Sequence, residues 1–116
     1  MPAGSWTVKS YYRAGAEVTS DFKGCSFVFD SNGLVTATDS KGKSTIGSWY
    51  ATVGGQVVYY GAGPSITSLS LSFDKKAPKP FDRLTNTWNV NLATTSRDVV
   101  LDNFEPLAGE RIEFSY

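Results

Sequence analysis

The pattern of hydrophobic and polar positions is that of short alternating runs. Apolar residues spaced i, i+3, i+4, i+7, as an amphipathic helix requires, are nearly absent. Ser5 to Arg13 alternates with Trp6, Val8 and Tyr12 on one predicted face and Thr7, Lys9, Tyr11 and Arg13 on the other. Cys25, Phe27 and Phe29 then alternate with Ser26, Val28 and Asp30, and the run stops at Asp30-Ser31-Asn32-Gly33. An Asn-Gly step supplies the positive φ of a tight hairpin turn. Further strands are predicted over Leu34 to Asp39, Thr45 to Thr52, Gln56 to Tyr60, Ile66 to Asp74, Thr87 to Ala93, Arg97 to Asp102 and Glu110 to Ser115. Leu69, Leu71 and Phe73, separated by serines, give the clearest alternation. The prolines of Lys75-Lys76-Ala77-Pro78-Lys79-Pro80 lack ladder donors and mark a loop, with one helical turn expected at Phe81-Asp82-Arg83-Leu84.

About eight strands joined by short turns make an all-β meander, closed on itself or folded into a sandwich. An open sheet of this size would leave sticky edges that a barrel removes, so an up-and-down antiparallel β-barrel is the expectation. With 116 residues, the chain 1–116 is read as one domain. That length buries enough surface to fold without disulfides, so the single cysteine, Cys25, is read as a core thiol.

Charge narrows the function. Eleven Lys+Arg balance eleven Asp+Glu, which leaves no field to gather nucleic acid, and no apolar run reaches the roughly 18 residues of a membrane-spanning helix. The opening Met1-Pro2-Ala3-Gly4-Ser5 lacks the basic and apolar regions of a signal peptide, so the chain is expected to be mature or trimmed. With no histidine, most acid–base, metal and triad templates are missing, and Cys25 has no soft co-ligand. No enzyme, metal or cofactor is expected. A carboxylate pair is the remaining catalytic route, but Asp30, Asp39, Asp74, Asp82 and Asp102 read as turn residues.

Aromatic residues make up 14% of the chain and cluster as Tyr11-Tyr12, Trp49-Tyr50 and Tyr59-Tyr60. Neighbours in a strand face opposite ways, so one of each pair points inward. Two readings stand. Either the inward members are core, or the aromatics are functional, with Tyr12, Trp49 and Tyr59 lining a pocket for an apolar ligand or the outward members forming a platform for sugar rings. The cationic loop Lys75 to Leu84 is a second candidate, as a gate at a barrel mouth.

Several segments resemble, in order, the lipocalin-like domains of bacterial cell-envelope proteins of the Bacteroidota type. They are Gly4-Ser5-Trp6-Thr7-Val8, Phe27 to Gly33, Thr45-Ile46-Gly47-Ser48-Trp49, Leu69 to Phe73, Pro80 to Leu84, Trp88-Asn89-Val90 and Ile112-Glu113-Phe114. The resemblance implies a barrel of about eight strands in a protein of the cell envelope or a secreted one, often a lipoprotein. It implies Trp6 as the plug of the closed end, with Arg111 lying across it. It also implies a non-catalytic module that holds a small apolar or amphipathic ligand among Tyr12, Phe27, Phe29, Trp49, Tyr59, Leu71 and Trp88. The alternative is a filled barrel acting as a structural, interaction or carbohydrate-contacting accessory domain. A small hydrophobic molecule and a second copy of the chain, as a homodimer, are the partners left open. Gly47-Ser48-Trp49-Tyr50 is also similar to the opening motif of the avidins, but it sits mid-chain.

Overall fold

A computed structural model describes residues 5–13, 15–59, 66–91, 94–95, 97–103 and 110–116. Among the described residues ten strands form: β1 (Ser5–Arg13), β2 (Ala16–Glu17), β3 (Ser26–Phe29), β4 (Leu34–Thr38), β5 (Ser44–Val53), β6 (Gln56–Val58), β7 (Ser68–Ser72), β8 (Asn86–Val90), β9 (Asp98–Asn103) and β10 (Glu110–Ser115). Eight of them, β1-β3-β4-β5-β7-β8-β9-β10, run antiparallel in chain order, and β10 returns to pair with β1. The barrel is closed, so no long edge is left unpaired. The two extra strands are short hairpin arms: β2 folds back on the end of β1, and β6 folds back on the end of β5.

Turn chemistry sets the register. Between β3 and β4 the Gly33 N–H donates to the Asp30 carbonyl, and Gly33 has a φ of +87°, the left-handed conformation that glycine adopts without strain. Between β4 and β5 the Asp39 side chain accepts the backbone N–H groups of Lys41 and Lys43, both at 2.9 Å. Asp74 accepts from Lys76 N–H in the same manner. These aspartates are turn residues, as the sequence suggests. Asp102 is not, for it lies within β9.

The alternation predicted for β1 breaks. Val8 pairs with Phe114 but Ser10 pairs with Glu113, so one extra residue, Lys9, bulges out of the ladder. Everything after it changes face. Tyr11 is buried and Tyr12 is turned outward, 40% exposed.

Inside, the apolar faces of all eight strands meet. Phe27 packs edge-on against Phe114 (centroids 5.2 Å apart) and Phe81 (5.7 Å), and Phe29 against Trp49 (5.5 Å) and Phe114 (5.9 Å). Two 3-10 turns seal the end of the barrel where β1 finishes. One, Thr19–Phe22, inserts Phe22 against Tyr11 at 5.2 Å; the other, Phe81–Leu84, inserts Phe81 and Leu84. Arg83 ties the two together through Asp21 at 2.7 Å. The loop expected to gate a mouth is therefore a stopper whose apolar residues point in, while Lys75, Lys76 and Lys79 are exposed.

At the opposite end, Trp6 is fully buried, as its predicted role as a plug requires. Arg111 does not lie across it. Arg111 pairs with Tyr12 in the register, six residues along β1 from Trp6, and its guanidinium holds Asp102 instead. Tyr116 covers Trp6, with centroids 5.2 Å apart, and Arg97 sits 5.9 Å above the Tyr116 ring.

Candidate functional site

Five of the seven residues expected to line a cavity, Phe27, Phe29, Trp49, Leu71 and Trp88, do face the interior, where all are buried. They are brought together by register: Trp49 pairs with Leu71, and Trp88 with Leu69. Their neighbours occupy the space between them. Trp88 Nε1 donates to the Leu84 carbonyl at 3.0 Å, and Trp49 Nε1 to the Asp30 carbonyl at 2.8 Å, so both indoles are spent on internal bonds. The other two leave the set. Tyr12 faces outward because of the bulge at Lys9, and Tyr59, 44% exposed, stands beyond β6 on the rim of the barrel. Tyr60, read as its outward partner, lies outside the described residues.

The larger concavities lined by described residues open to the outside. The first, about 640 Å³, lies at the ends of β1, β9 and β10 and is lined by Tyr12, Asn91, Asp102, Asn103, Glu110 and Arg111, with Gly15 at its edge. Two carboxylates border it from opposite faces of the sheet, since Asp102 pairs with Arg111 while Glu110 pairs with Asn103. Both are engaged. Asp102 accepts from Arg111 Nε at 2.6 Å and from Asn91 Nδ2 at 2.7 Å. Glu110 accepts from Tyr11 Oη at 3.1 Å and Asn103 Nδ2 at 3.2 Å, with Arg13 Nε at 3.6 Å. Hydrogen bonding to Asp102, then its charge, raises the pKa of Arg111 further. Burial, reinforced by the Glu110 carboxylate, pushes the Tyr11 phenol up to about 12. A pair of acids held in this way, on opposite faces, does not flank one bond of a substrate as glycoside hydrolysis requires. No cluster of three or more metal-ligating side chains occurs among the described residues.

A second concavity, about 510 Å³, is a slot between β1 and β3, which pair only through Ser5–Val28 and Trp6–Phe27 before diverging. Phe22 and Cys25 lie at its floor. Burial, with the Asp39 charge nearby, raises the Cys25 thiol pKa, which keeps it protonated and unreactive.

The third is smaller, about 250 Å³, and chemically distinct. Strand β5 is long enough to carry β4 and then β6 along one edge while β7 occupies the other. On its outward face Ser48 sits opposite Ser72, and Tyr50 opposite Ser70. The β3–β4 turn brings Asn32 and Gly33 alongside, and Tyr59 closes the groove. No lining residue carries a charge. Tyr50 and Tyr59 are 38% and 44% exposed, so the groove offers two ring surfaces above a floor of hydroxyls. Its geometry is fixed from below. Tyr59 meets the Trp49 ring edge-on at 6.1 Å, and Trp49 is locked by its bond to Asp30, by its N–H donating to the Gly33 carbonyl at 2.9 Å, and by Phe29. A β-carbon on Gly33 would stand 3.0 Å from Tyr59 Cε1, so the absence of a side chain there lets the phenol ring settle.

The sequence names Tyr59 and Trp49 and places Tyr50 outward, but it does not bring Asn32, Ser48 or Ser72 to them. The signal was present as the Ser-Leu-Ser-Leu-Ser alternation of β7, whose serines share the outer face with Tyr50. Comparison of the chain with protein-family models, curated proteins and solved structures finds no significant match to any of them.

Proposed function

We propose that this chain is a non-catalytic binding module of lipocalin-like type whose interior is filled by its own side chains and which meets its ligand on the outside of the barrel. One observation carries the reading. The positions that would line an internal pocket are buried in continuous ring-to-ring contact, from Tyr11 and Phe22 through Phe27, Phe114 and Phe29 to Trp49. A lipocalin-like cavity for a small apolar molecule needs a few hundred cubic ångströms of enclosed space, and these rings stand where it would be. The engaged state of Asp102 and Glu110 supports the non-catalytic part. The location that the resemblance implies, cell envelope or secreted, is part of the same proposal.

Native mass spectrometry of the protein purified gently from its own host tests this. The expected spectrum carries the bare mass of the chain. An added mass that organic solvent strips away, and that Trp49 and Trp88 emission registers on leaving, would return the function to an internal apolar ligand.

A further inference from the structure

The proposed outward binding has a place and a ligand class, and this inference rests on that reading. We propose that the groove framed by Tyr50 and Tyr59 over β5 and β7 is a subsite for one ring of a neutral saccharide.

Three properties of the groove point the same way. It is electrically neutral: none of its lining residues, which run from Asn32 and Ser48 to Tyr50, Tyr59 and Ser72, carries a charge. Phosphate, sulfate, carboxylate and ammonium ligands find no counter-charge there, and desolvating them against such a wall is unfavourable. It is amphipathic in the sense a sugar requires. A pyranose presents C–H groups on its faces and hydroxyls around its edge; the former suit the electron-rich faces of Tyr50 and Tyr59, the latter need short donors and acceptors. Ser48 and Ser72 supply hydroxyls from opposite strands, while Asn32 spends its Oδ1 on the Leu34 N–H and keeps its NH₂ to donate. Ser70 is already bonded to Thr87 at 2.9 Å and serves as wall.

The groove is also rigid before any ligand arrives. Tyr59 is backed by Trp49, and Trp49 by three separate contacts to β3 and its turn. Holding an aromatic platform in place beforehand removes part of the ordering cost of binding a flexible, strongly hydrated ligand. The size decides how much of the ligand is held. At about 250 Å³ the groove falls below the roughly 300–1,000 Å³ of pockets that enclose a whole small molecule, so it grips one ring of a chain that continues into solvent.

The test uses the intact protein, isotope-labelled, titrated into the millimolar range with cellohexaose, xylohexaose and mannohexaose, and with an oligogalacturonate as the anionic control. At least one neutral hexaose is expected to shift the amide signals of Asn32, Gly33, Ser48, Tyr50 and Ser72, with the oligogalacturonate leaving them in place. Tyr50→Ala is expected to weaken that binding roughly tenfold or more, and Tyr59→Phe to retain it, since the ring remains and only the hydroxyl is lost. Tyr12→Ala, on the far side of the barrel, should bind as the unaltered protein does. Absence of shifts with all three neutral hexaoses overturns the assignment, as does binding that Tyr50→Ala leaves intact. A dimer seen by sedimentation that Tyr50→Ala dissolves, with no sugar response, would make the face a protein interface and overturn it too. Failure here with a bare native mass removes only the sugar subsite; a solvent-strippable internal ligand removes the outward-binding reading itself.

Discussion

Tyr11 and Glu110, separated by 99 positions in the chain, are joined by a hydrogen bond of 3.1 Å in which the phenol donates to the carboxylate. The bond stitches β1 to β10 at the end of the barrel that the 3-10 turns close. It also has a pH signature. The folded protein holds the Tyr11 proton up to about pH 12, whereas the unfolded chain releases it near its ordinary value of 10.0. The stabilisation is therefore complete below pH 10 and is lost as pH rises from 10 to 12, by at most about 3 kcal/mol. Urea unfolding between pH 8 and 12 should show this decline, with Tyr11→Phe flattening it and costing about 1 kcal/mol at neutral pH. Parallel pH profiles for the two proteins would rule the linkage out.

The cover over Trp6 is Tyr116, braced by Arg97, and not Arg111. Replacing Tyr116 by Ala should move one of three 5-fluorotryptophan ¹⁹F resonances and cost about 1 kcal/mol. Arg111→Ala should leave that resonance where it is. If Arg111→Ala moves it and Tyr116→Ala does not, the packing described for this end is wrong.

Gly47 sits where β5 passes close against the end of β7 and the Phe73 ring. A β-carbon there would lie 2.6 Å from the Ser72 carbonyl oxygen and 2.7 Å from Phe73 Cδ1, and the backbone atom has nowhere to retreat. Gly47→Ala is expected to lose about 1–3 kcal/mol, read as a lowered thermal midpoint, while the neighbouring Ser48→Ala stays within about 0.5 kcal/mol. An unchanged midpoint for Gly47→Ala would mean the strands can part at little cost.

Cys25 should be slow to modify. Its thiol is buried and held protonated by that burial and by Asp39. Native labelling with a disulfide reagent at pH 8 is expected to run about a hundredfold or more below the rate in denaturant, tracking opening of the barrel. Rapid native labelling would reveal that the slot between β1 and β3 opens on its own.

Much of the architecture was legible from local chemistry. The Asn32-Gly33 step fixed one hairpin, Asp39 another, and the serine–leucine alternation of β7 pointed Leu69 and Leu71 inward. Strands β1 and β10 have the predicted limits. What failed was the assumption of unbroken period two. No residue type announces the bulge at Lys9, since it arises from the need to match β1 to β10 across the closed barrel, and it exchanged Tyr11 for Tyr12. Asp102, read as a turn residue, misled for a different reason. Buried acids within strands are rare, and its partners, Arg111 on β10 and Asn91 just past β8, come beside it only through the register of the flanking strands. The groove shared this fate: Trp49-Tyr50 reads as one in and one out, but Asn32 and Tyr59 meet only because β6 continues the row that β4 leaves.

The pairing of β1 with β10 also sets a timetable for synthesis. On its other flank β1 has only two residues of ladder with β3 and two with β2, so most of its backbone partners lie in β10, made after every other described strand of the barrel. Closing so long a loop is entropically slow, which places this barrel among domains that fold in milliseconds to seconds. Until Glu110–Ser115 emerges from the ribosome, β1 and β9 are bare edges, and a chain stalled at that stage should be a client for chaperones rather than a partly working protein.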